Sequence, residues 1–146
     1  MEPYVPTSNA EATWEGGLKN GKGTYRAASG AFQSAYSFGT RFGGDQGSNP
    51  EELIAAAEAA CLSMALSAGL EQAGTPPTRI TTRAACTVEK VGEGFRITRI
   101  RLTVRGQVPG IDQAAFQAAA ESAKNGCPVS NALKNNLEME LDAALE

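Results

Sequence analysis

The chain has 146 residues, is 42% hydrophobic and 20% charged, carries a net charge of −3, and contains no histidine. That is enough chain for one domain able to bury most of its apolar surface. The acidic balance argues against a nucleic-acid partner, which calls for a basic surplus, and the missing imidazole excludes Cys–His and Ser–His–Asp hydrolases.

No basic segment followed by an apolar run opens the chain at Met1, so no secretory leader is expected. The least polar stretch, Leu53 to Leu70, is mostly alanine, is short for a membrane span, and carries Glu58, Ser63 and Ser67. The expectation is a single cytoplasmic domain over residues 1–146, with residues 1–10 a loose arm and no membrane contact. Three cysteines in such a chain point to thiols held reduced between events, not to a disulfide framework. No Cys-x-x-Cys is present, so zinc-ribbon and thioredoxin patterns fail, and neither metal nor cofactor is expected.

Ala12–Gly16 and Lys22–Ala27 read as strands, with Asn20-Gly21 between them as a hairpin signal. Ser29-Gly30 makes a turn into a third strand over Ala31–Phe38, and Gly39–Asn49 is a glycine-rich loop holding Arg41 and Asp45. A long helix follows. Asn49 suits its N-cap, Pro50 its first position and Glu52 a capping box. Its faces are apolar or small nearly all round, which predicts a buried central helix ending near Gly74. Arg79–Val91 alternates, placing Ile80, Thr82, Ala84, Cys86 and Val88 on one face. Gly92-Glu93-Gly94 turns the chain into a strand over Phe95–Val108, where the apolar parity changes after Ile97, predicting a β-bulge near Thr98-Arg99. A helix over Ile111–Lys124, a short helix over Pro128–Asn135 and a last strand over Leu137–Ala143 complete an α+β order.

Gly16 to Gly23 nearly matches a phosphate-binding loop. It lacks the Ser or Thr that would hold magnesium, and a strand follows where a helix is required, so a hairpin turn is the better reading. The arginines between Arg79 and Arg105 suit a solvated sheet face, and Cys86 suits core packing as a small hydrophobe. Cys127 falls at the start of the short helix, where exposed N–H groups favour thiolate. Cys61 lies about three turns into the apolar helix, where burial raises a thiol pKa; on composition alone it is packing, and a nearby cation would be needed to reverse that.

Two motifs resemble the OsmC/Ohr family of thiol-dependent peroxidases: Asn49-Pro50-Glu51-Glu52-Leu53 running to Ala60-Cys61-Leu62-Ser63-Met64, and Gly126-Cys127-Pro128-Val129-Ser130. Tyr36–Phe42 and Val108–Asp112 also look family-like, and the resemblance spans roughly residues 12 to 142. It implies an OsmC-like α+β fold, with antiparallel sheets packed on a long buried central helix, in an intertwined homodimer with active sites at the interface. It implies Cys61 as the peroxide-attacking thiolate, Cys127 as the resolving thiol, and Arg41 and Glu51 as their partners.

The Ohr branch carries its arginine in the early hairpin, where this chain has Lys19 and Lys22; Thr40-Arg41-Phe42 looks like the OsmC branch. Where many OsmC-like chains have His or Tyr near the attacking cysteine, this one has Glu58, to which the resemblance assigns no role. The implied activity is reduction of organic hydroperoxides, with hydrogen peroxide a further candidate, in oxidative or osmotic stress defence. The implied reductant is an external dithiol such as a lipoylated protein. Leu53, Met64, Phe42 and Leu62 are candidate pocket walls. Two other readings stay open: a thiol–disulfide oxidoreductase using the same cysteines, and a non-catalytic dimeric small-molecule-binding protein with structural cysteines.

Overall fold

The structure is a computed structural model and describes residues 3–146. Chain contacts divide it into two compact units, one ending at Pro50 and the other running Glu51–Glu146. Residues 3–9 are exposed and without regular structure, and Ala10 already belongs to the first strand; residues 1 and 2 lie outside the described residues.

The first unit holds β1 (Ala10–Glu15), β2 (Lys22–Ala27), β3 (Gln33–Tyr36) and α1 (Phe38–Phe42). The strands form one antiparallel sheet in sequence order. Its register sets Gly23 opposite both Trp14 and Tyr36, and a Cβ on Gly23 would stand 2.6 Å from each ring. The sheet thus needs glycine at that point.

The β1–β2 connection spans residues 16–21 and is looser than the tight turn expected at Asn20-Gly21. Trp14 Nε1 donates to the Gly16 and Gly17 carbonyls at 3.1 and 3.2 Å, and Gly21 N donates to Gly17 O at 2.8 Å. With antiparallel strands on both sides, the loop is no phosphate cradle.

Beyond β3 the chain is helical where a loop is expected. Ser37 accepts from Thr40 N and Thr40 Oγ1 accepts from Ser37 N, a capping box that winds residues 38–42 into α1. Arg41 therefore sits on a helical turn and not in a loop.

The second unit contains α2 (Pro50–Gln72), β4 (Arg79–Val91), β5 (Gly94–Gln107), α3 (Gln113–Gly126), α4 (Pro128–Leu133) and β6 (Glu138–Leu145). β4 and β5 form a long antiparallel hairpin. Thr87 pairs with Arg99 and Val88 with Ile97, leaving Thr98 as the extra residue of the expected bulge. β6 pairs parallel to β5, which corrects the expectation of purely antiparallel sheets. The cause is the connection: α3 and α4 carry the chain back to the far end of the sheet, and such a crossover is what parallel pairing requires.

α2 starts at Pro50 as expected. It stops where Thr75 N donates to Leu70 O and Gly74 N to Glu71 O, with Gly74 at φ 86°, the left-handed cap that glycine favours. Its burial is narrower than its composition suggested. Leu62, Leu66 and Leu70 join Ile100, Leu102, Val104 and Phe116 in the core, with Glu51 and Glu58 buried in line with them. Met64, on another face, is 75% exposed in the single chain.

The arginines of the sheet face solvent as expected: Arg79 pairs with Glu146, Arg101 with Glu140 and Arg105 with Asp142. Such pairs are worth about 0–1 kcal/mol each.

Gly106 lets β5 pass under Phe116, since a Cβ there would lie 2.6 Å from the ring. Phe116 is fully buried and has nowhere to move. Gly106→Ala should therefore cost about 1–3 kcal/mol as an overpacked core, read as a lower urea midpoint at unchanged slope.

Candidate active site

α3 and α4 meet at Cys127, which caps both helices with φ −68° and ψ 124°. The residue before a proline is pushed out of the helical region, and Pro128 can open α4 because the first-turn donor it lacks has no helical partner. Cys127 N donates to Ala123 O at 2.8 Å and Asn131 N donates to Cys127 O at 2.9 Å. This one residue is thus pinned by the last turn of one helix and the first turn of the next.

The pinned side chain is fully buried, and its sulfur lies 2.8 Å from Cys61 Sγ on α2. Both thiols are free, and Cys61 is half-buried. A disulfide needs about 2.05 Å between sulfurs, so closing it takes little movement.

A second contact runs beside the first. Ser130, three residues after Cys127, donates its hydroxyl to Glu58 Oε1, and Glu58 stands three residues before Cys61. Spacings of three place side chains on one helix face. Both members of this pair are buried. The sequence reading left Glu58 without a role and did not single out Ser130. The matched spacings, Glu58 to Cys61 and Cys127 to Ser130, were the signal.

The electrostatics of Cys61 are those of a shielded thiol. Burial pushes it above its ordinary value, contact with Cys127 pushes it further, and the charges of Cys127 and Glu58 act in the same direction. A hydrogen bond from the Val129 backbone N–H pulls the other way. Cys86 is likewise raised, by burial and then by the Glu51 charge. It packs at the margin of the core, as expected. Glu51 lies in the first turn of α2, 5% exposed.

In the first unit, Arg41 is exposed and its guanidinium lies 5.0 Å from the centroid of the Phe42 ring. That ring packs at 5.2 Å on Phe38, and Lys19 Nζ lies 5.9 Å from the Phe38 centroid. Trp14, Leu18, Tyr36, Phe38, Arg41 and Phe42 line a cavity of about 230 Å³, an aromatic pocket with a cation in its wall. Of the candidate pocket walls, Phe42 lines this cavity, Met64 is largely exposed on α2, and Leu62 is fully buried in the core of the second unit. No group of three or more His, Cys, Asp or Glu side chains that could hold a metal occurs among the described residues.

Removing Cys127 removes two influences that raise the Cys61 thiol. In a Cys86→Ala background, Cys127→Ala should therefore move the pH profile of Cys61 alkylation to lower pH. The measurement is iodoacetamide rate against pH; an unmoved profile would mean that the two sulfurs do not interact in solution.

The model of the family described as OsmC-like protein matches residues 43–142. Peroxiredoxin OsmC of Escherichia coli (strain K12) is 50% identical over 131 residues, 89% of this chain and 92% of the relative. The organic hydroperoxide resistance protein of Xanthomonas axonopodis pv. citri is 35% identical over 103 residues, 70% of each chain. Among solved structures, an organic hydroperoxide resistance protein from Elizabethkingia anophelis superposes with a TM-score of 0.80 at 27% identity, covering 99% of this chain and 100% of that one. The motifs around Cys61 and Cys127 are thus part of a likeness that extends over most of the chain, and the chain belongs to the OsmC-like protein family.

Proposed function

We propose that this chain is a thiol-dependent peroxidase that reduces organic hydroperoxides through Cys61 and Cys127. The observation that carries the reading is the 2.8 Å approach of the two sulfurs from separate helices. The names of the relatives, a peroxiredoxin and organic hydroperoxide resistance proteins, point to the same chemistry.

In the first step the Cys61 thiolate attacks the terminal oxygen of the hydroperoxide. An S–O bond forms, the O–O bond breaks, and an alcohol leaves, so that the sulfur becomes a sulfenic acid. Cys127 then condenses with it to a disulfide and water. An external dithiol, of which a lipoylated protein is an example, restores both thiols by exchange. The work is cytoplasmic and belongs to defence against oxidative or osmotic stress.

Arg41 serves the departing oxygen, where a fixed cation stabilises developing negative charge. Glu51 holds that guanidinium by a two-point pair. Glu51 and Cys61 lie on one unbroken helix, Pro50–Gln72. Ten residues at 1.5 Å each put them about 15 Å apart along its axis. A Glu51 and a Cys61 that serve one site therefore come from two chains, and the active form is a homodimer. An apolar pocket at the site would favour an organic hydroperoxide over the small, polar hydrogen peroxide.

The test is a free-thiol count on the reduced protein before and after one equivalent of cumene hydroperoxide. Two of the three thiols should disappear and return with a dithiol, whereas both thiols that remain in Cys61→Ser should persist. Unchanged counts in the wild type would overturn the peroxidase reading. A chain that instead consumes disulfides without peroxide would be an exchange enzyme.

Arg41→Lys should lose most peroxidase turnover, because an ammonium lacks the planar fork that pairs with a carboxylate. Near-full turnover in that variant would remove Arg41 from the mechanism. Full activity at concentrations where sedimentation finds only monomer would remove the shared site.

A further inference from the structure

Glu58 is fully buried, and only one of its carboxyl oxygens is satisfied. Oε1 accepts from Ser130, while Oε2 has no hydrogen-bond partner among the described residues. A buried acceptor left open is costly, and a pair that served only to pin two helices would not need one. The open oxygen belongs to the residue one helical step from Cys61, and its bonded partner lies one step from Cys127.

We propose that Glu58 is the proton acceptor of the disulfide-forming step, held in place by Ser130. This rests on the Cys61–Cys127 reading above. The step requires such a group, because a resolving thiol attacks well only after losing its proton. Cys127 is fully buried, out of contact with bulk water. Among the described residues the buried polar or charged ones are Glu51, Glu58 and Ser130. The chain's own Glu51 stands about 15 Å along α2 from Cys61, the Glu51 that a second chain brings to the site is engaged by the Arg41 guanidinium in the reading above, and a serine hydroxyl is no base. That leaves Glu58, whose charge already acts on the Cys61 thiol.

The step balances without any further reagent. The Cys127 S–H bond breaks and its proton passes to the Glu58 carboxylate. Cys127 Sγ attacks Cys61 Sγ, the S–S bond forms, and the Cys61 S–O bond breaks with its electron pair going to oxygen. Glu58 returns the proton to that oxygen, which leaves as water. The Cys127 thiol is oxidised and the Cys61 sulfenic acid reduced to the common disulfide level, and Glu58 ends the step as a carboxylate.

Ser130 is a positioning residue. By donating to Oε1 it fixes the carboxyl so that Oε2 is the oxygen open to the proton.

The experiment is a single turnover with cumene hydroperoxide, following sulfenic acid by dimedone trapping and disulfide by thiol count. Glu58→Gln keeps the size of the side chain and an oxygen for Ser130, but takes up no proton. It should still form the sulfenic acid, which should then persist, with closure slowed on the order of a hundredfold, as for loss of a general base. Glu58→Asp, which restores a carboxylate, should recover part of that rate. A Glu58→Gln protein that closes its disulfide at the wild-type rate overturns the proposal.

If Glu58→Gln does not fold, wild-type closure in D2O decides. A slower closure is expected, and equal rates in H2O and D2O overturn the proposal. A wild-type protein that forms no sulfenic acid at all would instead fail the two-cysteine reading, an outcome visible before any Glu58 variant is made.

Discussion

Everything at this site depends on one helix break. Gly126-Cys127-Pro128 ends α3 and starts α4 on a single residue, because proline forces its predecessor out of the helical region and then accepts the first helical position itself. A continuous helix through residues 113–133 would spend the Cys127 backbone on ordinary helical hydrogen bonds and swing its side chain with the helical repeat. The break instead fixes Cys127 from both sides, through Ala123 O and Asn131 N. The sulfur is thereby delivered to Cys61 by rigid elements, and the distance between the two does not rely on a mobile loop. Ser130, one step into α4, then falls opposite Glu58 by the same geometry.

That arrangement does nothing to ionise Cys61. Burial and the neighbouring Cys127 hold its thiol above the ordinary range, against a single backbone N–H. An ordinary thiol of pKa about 8.5 is already only a few per cent thiolate at neutral pH, and burial and Cys127 push Cys61 further from ionisation in the single chain. Full ionisation would gain on the order of tenfold at an ordinary value, and the accompanying loss of nucleophilicity, with a Brønsted slope of about 0.4–0.5, would return much of it. A fast peroxidase therefore gains more from charge placed at the departing oxygen than from charge placed at the sulfur. This is why the proposed mechanism gives Arg41 the oxygen and leaves the sulfurs to a shielded, apolar surrounding.

How much of this was legible in the sequence follows from the range of the interactions involved. Local signals read well. Pro50 opens α2, the parity change in β5 places the bulge at Thr98, and Cys127 caps the short helix. Signals that depend on distant pairing did not. The parallel pairing of β6 is decided by where α3 and α4 return the chain, and no pattern within Glu138–Leu145 records it. The helix α1 was hidden by glycines at 39, 43 and 44 in a segment whose capping box, Ser37 with Thr40, lacks the usual acidic partner. Of the site, both cysteines were visible through their motifs. Glu58 with Ser130 was not: their matched spacings from the cysteines stand in the sequence, but that both are buried and meet each other shows only in the fold.

The composition of α2 carries one more consequence. The helix is apolar or small on nearly every face, yet in the single chain only the line through Glu51, Glu58, Leu62, Leu66 and Leu70 is buried, and Met64 is 75% exposed. By length and composition such a helix could pass for a membrane span. Its buried leucines, however, belong to the same core as Ile100, Leu102 and Phe116. The surplus apolar surface is the kind that marks an association site. The proposed mechanism needs a second chain for an unrelated reason, since the helix itself holds Glu51 and Cys61 about 15 Å apart. The proposed dimer would meet both demands: it would cover the remaining faces of α2 and bring the glutamate of one chain to the cysteine of the other. On this account the alanine-rich composition that disguises Cys61 as packing is a requirement of the same interface that completes its site.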